Sequence, residues 1–261
     1  MQYKNVVILF SIGLPVGIIL RLIQLNFIVE AKTGFFSPEF SVFGYAILAL
    51  FFIIALLFVI SSFVTHRCPE HTPSVNIPLS ISSFIAAIGV FANTFFSKST
   101  TSFQSALLNI SAICTIAFFI SLGVKAYIDF NLPKFTFLFP CIYFILDIIK
   151  EFTTVSSIAV ISDNILLIAA LCSLMVFSLQ FAKLYNDTDE EYNFRKLLAS
   201  GLVSSFFCYV QSIPYFIFNI ISDTPDTHIL FSSNLSLLCI GSFVSVFLFS
   251  HFSRKNACIR I

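Results

Sequence analysis

Tryptophan is absent from this sequence, and charge is scarce: only 10% of its 261 residues are Asp, Glu, Lys or Arg. A soluble domain carries roughly 25% charged residues, so too little charge is present to cover a water-exposed surface. No basic run is long enough to follow a nucleic-acid backbone. That excludes nucleic acid as a partner, and a net charge of +1 implies no other bulk electrostatic partner. Catalytic signatures are missing as well. The chain has no H-E-x-x-H, no G-x-S-x-G, no Walker A loop and no G-x-G-x-x-G. Nothing in it calls for a cofactor, and the expectation is a protein that is not an enzyme.

The cysteines form no recognisable framework. Cys68, Cys114, Cys141, Cys172, Cys208, Cys239 and Cys258 are odd in number and irregular in spacing. Five of them fall inside apolar runs, where cysteine acts as a small hydrophobe. His66, Cys68, Glu70 and His71 in one short connection, with His251 and Cys258 near the C-terminus, suggest a metal only in composition. Their spacing fits no zinc pattern, so no metal is expected.

What the sequence has in abundance is apolar length. Hydrophobic residues make up 58%, phenylalanine alone accounts for 35 positions, and the mean hydropathy is +0.98. The excess falls in blocks of roughly 20 residues, the length that crosses a hydrocarbon core as a helix. A transmembrane barrel would instead alternate apolar and polar residues with period two. The pattern predicts an all-α, polytopic bundle in one domain covering residues 1–261, with the lipid bilayer as its partner. Eight spans are expected: Val6–Phe27, Ser41–Val64, Ile77–Phe96, Phe103–Val124, Phe135–Phe152, Asn164–Leu184, Leu197–Ile221 and Ile229–Phe252. The first lacks the small-residue cleavage site of a signal peptide and reads as a retained span.

Lysine and arginine give the sidedness. With both termini in the cytoplasm, Lys4, Arg67, Lys125, Lys134, Lys183, Arg195, Lys196, Arg254, Lys255 and Arg260 lie inside. Only Lys32, Lys98 and Lys150 lie outside, and Arg21 is within a span. Dropping one span would move every later loop to the other side and spoil this bias, so it supports both the even count and the orientation. The acidic stretch "NDTDEEYNFRK", Asn186–Lys196, reads as a solvated inner turn. In "AKTGFFSPEF", Ala31–Phe40, Gly34 suits a turn with positive φ, and a short re-entrant element is one option there.

Arg21 is the anomaly. It lies about 9 Å from the outer end of its span at 1.5 Å per residue, close enough to snorkel to the surface. The other reading is a buried counter-charge, since intramembrane ionisable residues usually face the bundle interior. Asp147, in the outer half of the fifth span, is the first choice of partner. Glu30, Glu39, Glu151 and Asp163 are rivals in the outer connections.

Amides share that depth. Gln24, Asn26, Asn93, Gln104, Asn109, Asn164, Gln211, Asn219 and Asn234 all lie in outer halves, against Gln180 in an inner half. Amides in hydrocarbon must find hydrogen bonds. They either converge on an outward polar pocket, with Arg21, Gln24, Asn93, Asn109, Asp147 and Gln211 as its candidate ligand-binding residues, or serve as scattered interhelical ties. Two other features bear on packing. "GLPVG", Gly13–Gly17, has the small-xxx-small spacing of close helix contacts. Pro15, Pro140 and Pro214 are expected to kink their spans, as in helices that flank transporter sites.

The segments "LRLIQL", "EAKTGFF" and "FPCIYFILDIIKEFTTVSSIAV" (Phe139–Val160) resemble a group of uncharacterised multi-pass membrane proteins of Firmicutes bacteria. That resemblance implies residence in a bacterial cytoplasmic membrane. The group has no assigned activity, so no functional residue carries over. The functions left open are binding or sensing of a small polar or amphipathic molecule, transport of a small solute, and service as a structural or accessory subunit beside another membrane protein.

Overall fold

The computed structural model describes residues 3–29, 36–64, 77–96, 103–125, 127–128, 132–154, 161–185, 190–222 and 228–253. Eight α-helices follow one another: α1 Tyr3–Ile23, α2 Ser41–Phe63, α3 Ile77–Phe96, α4 Phe103–Val124, α5 Phe139–Thr154, α6 Ile161–Tyr185, α7 Glu190–Ser222 and α8 His228–Ser253. Helix is what the composition demands, because lipid offers backbone N–H and C=O groups no partner and each span must satisfy its own. The many serines are absorbed the same way. Ser62 Oγ donates to Phe58 O at 2.7 Å, Ser83 to Leu79 O at 2.7 Å and Ser205 to Gly201 O at 2.7 Å, each one turn back in its own helix.

Among the described residues, seven helices are long and apolar enough to cross a membrane. The exception is α5, with 16 residues. A 3-10 helix, Lys134–Leu138, precedes it directly, and together the two reach about 34 Å. At one end Phe137 stacks on Tyr185 at 4.5 Å, near the C-terminus of α6. At the other, Tyr143 and Asp147 share a cavity with Leu171 and Leu167, toward the N-terminus of α6. The unit therefore runs antiparallel to α6 along nearly its whole length.

The contacts place α7 and α8 at the centre. α7 packs against α1, α2, α6 and α8, and α3 makes its most extensive contact with α8. Ring contacts tie α8 to the remaining sides: Phe119 of α4 to Phe243 at 5.1 Å and Phe181 of α6 to Phe247 at 5.0 Å. Apolar side chains such as Ile12, Val42, Ile88 and Ile110 point outward from α1 to α4, as lipid-facing positions should. Phe10 of α1 lies 6.1 Å from Phe249 of α8, so the start of α1 and the end of α8 share one end of the bundle. The opposite end, where α1, α3, α5 and α7 finish, is the distal end.

Several boundaries differ from the sequence expectation. α7 begins at Glu190 rather than Leu197, so seven of the eleven residues of the acidic stretch are helical rather than a turn. Phe194, one turn into the helix, is already buried. The first span ends in a π-helical turn, Gln24–Ile28, a distortion that hydropathy cannot signal. Pro140 is the second residue of α5, where a missing N–H costs nothing, so it starts a helix instead of kinking one. Gly13 and Gly17 do not seat a single neighbour: Gly13 faces Phe58 of α2, and Gly17 faces Phe206 and Val210 of α7. The expectations for Gly34, for residues 65–76 and for Cys258 fall outside the described residues.

Candidate functional site

Polar side chains gather in two separate clusters at the distal end. The first is built on Arg21, whose side chain is 1% exposed. Its Nη2 pairs with Asp163 Oδ1, in the first turn of α6. Its Nη1 donates to Gln24 Oε1 at 2.5 Å, and Gln24 Nε2 donates to Gly44 O on α2 at 3.2 Å. The chain runs from α6 through α1 to α2. Gly44 makes room for it in a particular way: the Phe36 ring occupies the place a Cβ would take, 2.8 Å away. Phe36 is held there by the Val29–Phe36 bridge and by Ser37 N donating to Ile28 O at 2.9 Å.

Arg21 is thus shielded within protein rather than snorkelled, but its partner is Asp163 and not Asp147. Depth was the right guide to one coordinate only. α1 packs on α2 and α7, whereas α5 packs on α4 and α6, so α6 lies between Arg21 and Asp147. The acid at the near end of α6 is the one within reach.

The second cluster is built on Asp147. Tyr143, Asp147 and Glu151 stand four residues apart and form one stripe on α5. Facing them are Asn93 of α3 and Ser233 and Ser236 of α8, and all six line one cavity. Phe144, Leu167, Leu171, Leu237 and Ile240 close it. Its free volume is about 10 Å³, the room of a single water. Asn93 Nδ2 donates to Tyr143 Oη at 2.9 Å across the α3–α5 contact. Asp147 is 6% exposed, and its Oδ1 accepts no hydrogen bond from any described residue. Lys150 Nζ stands 3.9 Å from that oxygen, beyond hydrogen-bond reach.

The six candidate residues therefore divide. Asn93 and Asp147 share the cavity, and Arg21 and Gln24 form the other cluster. Asn109 is half-buried and Gln211 is buried, and neither lines the cavity. Gln104 is an interhelical tie, its Nε2 donating to Thr153 Oγ1 at 3.2 Å. Asn26 bonds its own helix at Leu22 O, 2.9 Å. Gln24, Asn93 and Gln104 act as ties between elements, and of the amides Asn93 also lines the small cavity. Tyr143, Ser233 and Ser236 are the members that sequence reasoning missed. The i, i+4, i+8 stripe through Asp147 was the available signal.

The Asn93–Tyr143 bond has a measurable consequence. Tyr143→Phe removes the acceptor and is expected to lower stability by about 1 kcal/mol, within the range of interhelical hydrogen bonds in membranes. Thermal unfolding in detergent micelles checks it, and Asn93→Leu added to Tyr143→Phe is expected to cost less than the two changes summed.

The fold defines a multi-pass α-helical membrane protein. Comparison with protein-family models, with curated proteins and with solved structures finds no match.

Proposed function

We propose that this protein sits in a bacterial cytoplasmic membrane with both termini in the cytoplasm, and that its distal polar cavity binds a small polar solute reaching it from outside. The activity is binding or sensing rather than catalysis. The observation that carries this reading is Asp147, buried beside this small cavity, with one carboxylate oxygen that accepts no hydrogen bond among the described residues and faces the Lys150 ammonium at 3.9 Å. An ionisable group left so within a membrane protein marks a functional site by default, because its burial is costly. The positive-inside bias supports the orientation.

Transport is the less favoured reading. On the side toward the chain termini, Phe119, Phe137, Phe181, Phe243 and Phe144 close around a second, apolar cavity of about 10 Å³. A solute passing on to the cytoplasm would have to part that aromatic layer.

Asn93→Cys and Ser236→Cys place thiols on the cavity wall. 2-Aminoethyl methanethiosulfonate added outside right-side-out vesicles, with free cysteine inside as quencher, is expected to modify both, read by mass spectrometry at those positions. No modification, or modification only with the reagent inside, overturns the reading.

A further inference from the structure

We propose that the end of the bundle opposite the Asp147 cavity binds an anionic glycerophospholipid, with its headgroup at Lys125 and Lys134 and an acyl chain along the outer face of α5. This is independent of what the Asp147 cavity binds.

Two lysines mark the headgroup position. Lys125 directly follows α4, and its backbone N–H donates to Ser121 O at 3.0 Å. Lys134 opens the 3-10 helix that leads into α5. An aromatic pair connects them. The Lys125 ammonium stands 5.7 Å from the centre of the Tyr185 ring, and Tyr185 stacks on Phe137 at 4.5 Å. Phe137 follows Lys134 by three residues, the spacing at which side chains of a 3-10 helix eclipse. Neither ammonium forms an ion pair with a described residue. The ring offers Lys125 a π face but no countercharge. Tyr185 Oη, on that same ring, is buried and has no hydrogen-bond partner among the described residues, which adds an unsatisfied hydroxyl to the two charges.

Apolar side chains surround the lysines. Tyr127 and Ile128 are exposed just after Lys125, and Phe135 is exposed just after Lys134. Aromatic and aliphatic groups interleaved with lysine suit the boundary between headgroups and acyl chains. From Phe135 the exposed stripe continues through Leu138, Ile142, Ile145 and Ile149, at helical spacing on one face of α5. It runs about 22 Å into the membrane and gives an acyl chain a continuous apolar track. Charge then selects the headgroup. A zwitterionic lipid brings its own cation to the two ammoniums, whereas an anionic one brings only negative charge. Each lysine near an anionic lipid surface is worth about fivefold in binding.

The test uses the full chain in detergent, with lipid retention read by native mass spectrometry. Dioleoyl phosphatidylglycerol and dioleoyl phosphatidylcholine, supplied in equal amounts, compare two headgroups on identical tails. Phosphatidylglycerol is expected to be favoured by at least about fivefold, and a smaller preference overturns the proposal whether or not any variant folds. Lys125→Gln with Lys134→Gln, monodisperse on size exclusion, is expected to lose at least about fivefold of that preference. A smaller loss shows that the lipid binds elsewhere and overturns it too. Lys125→Arg with Lys134→Arg keeps the charge and is expected to keep the preference; its loss would show that the lysines act through packing. Glycerol 3-phosphate carries the phosphate without tails and is expected not to displace the lipid at equal concentration. Displacement would make this a site for free phosphate and sink the lipid as its occupant. Ile142→Ser is expected to weaken retention of both lipids, and unchanged retention overturns the acyl-chain track.

Discussion

Asp163→Ala is expected to destabilise the protein by about 3 kcal/mol, the low end of the cost of breaking a buried ion pair. The low end applies because the Asp163 side chain is 24% exposed while that of Arg21 is 1% exposed. The loss falls on Arg21, whose guanidinium would stay inside the bundle, donating to the neutral Gln24. The reverse change should cost less. Arg21→Met fills similar volume without charge, and the part-exposed Asp163 can rehydrate, so roughly 1–2 kcal/mol is expected. The double variant should resemble Arg21→Met alone, because the charge that makes Asp163→Ala severe is gone. Unfolding by denaturing detergent in mixed micelles gives all three values. Asp147→Ala combined with Arg21→Met should be additive, since α6 separates the two residues. Strong coupling there, with additivity in the Arg21–Asp163 cycle, would show that the pairing described is wrong.

Gly89→Val should be at least as damaging. A Cβ built on Gly89 lies 2.5 Å from Cys239 Cβ and 3.3 Å from Ser236 Cα. Backbone and first side-chain atoms cannot swing aside, so α3 and α8 would have to separate along the most extensive helix contact in the bundle. Overpacking of this kind costs about 1–3 kcal/mol. Gly89→Ala is expected in that range, and Gly89→Val beyond it, with loss of monodisperse protein on size exclusion. Gly89→Ala with Cys239→Gly removes the collision and should recover most of the loss, less about 1 kcal/mol for glycine within α8. Gly201→Ala is the contrast: it meets the Leu248 methyl tip at 2.9 Å, a flexible end that can turn. Because Ser236 also lines the Asp147 cavity, the Gly89 variants should alter that cavity as well as stability.

Much of this was legible in the residues. α3 and α4 begin and end where apolar length said they would, and the polar bias toward one end of the spans located both clusters. Azimuth was not legible. Hydropathy gives each residue a depth but does not say which helix stands beside which, so Asp147 and Asp163 were equally plausible by position and the wrong one ranked first. Gln211 and Asn109 share that depth with Asn93, yet α7 and α4 present them away from the cavity. The charge of Glu190–Lys196 masks the periodicity that Phe194 and Leu197 continue, so the segment reads as a turn in sequence. The π-helical turn after Ile23 leaves no compositional trace.

The aromatic layer below the Asp147 cavity has an electrical consequence. Asp147 lies about 10 Å from the end of α5 at Thr154, whereas the hydrocarbon core is about 30 Å thick. If potential falls evenly with depth, a singly charged solute arriving from the distal side crosses about one third of it. At 100 mV that is about 0.8 kcal/mol per elementary charge, a change in occupancy of roughly fourfold. Better-hydrated surroundings at the distal end would concentrate the field across the phenylalanines instead, making occupancy still less sensitive to voltage.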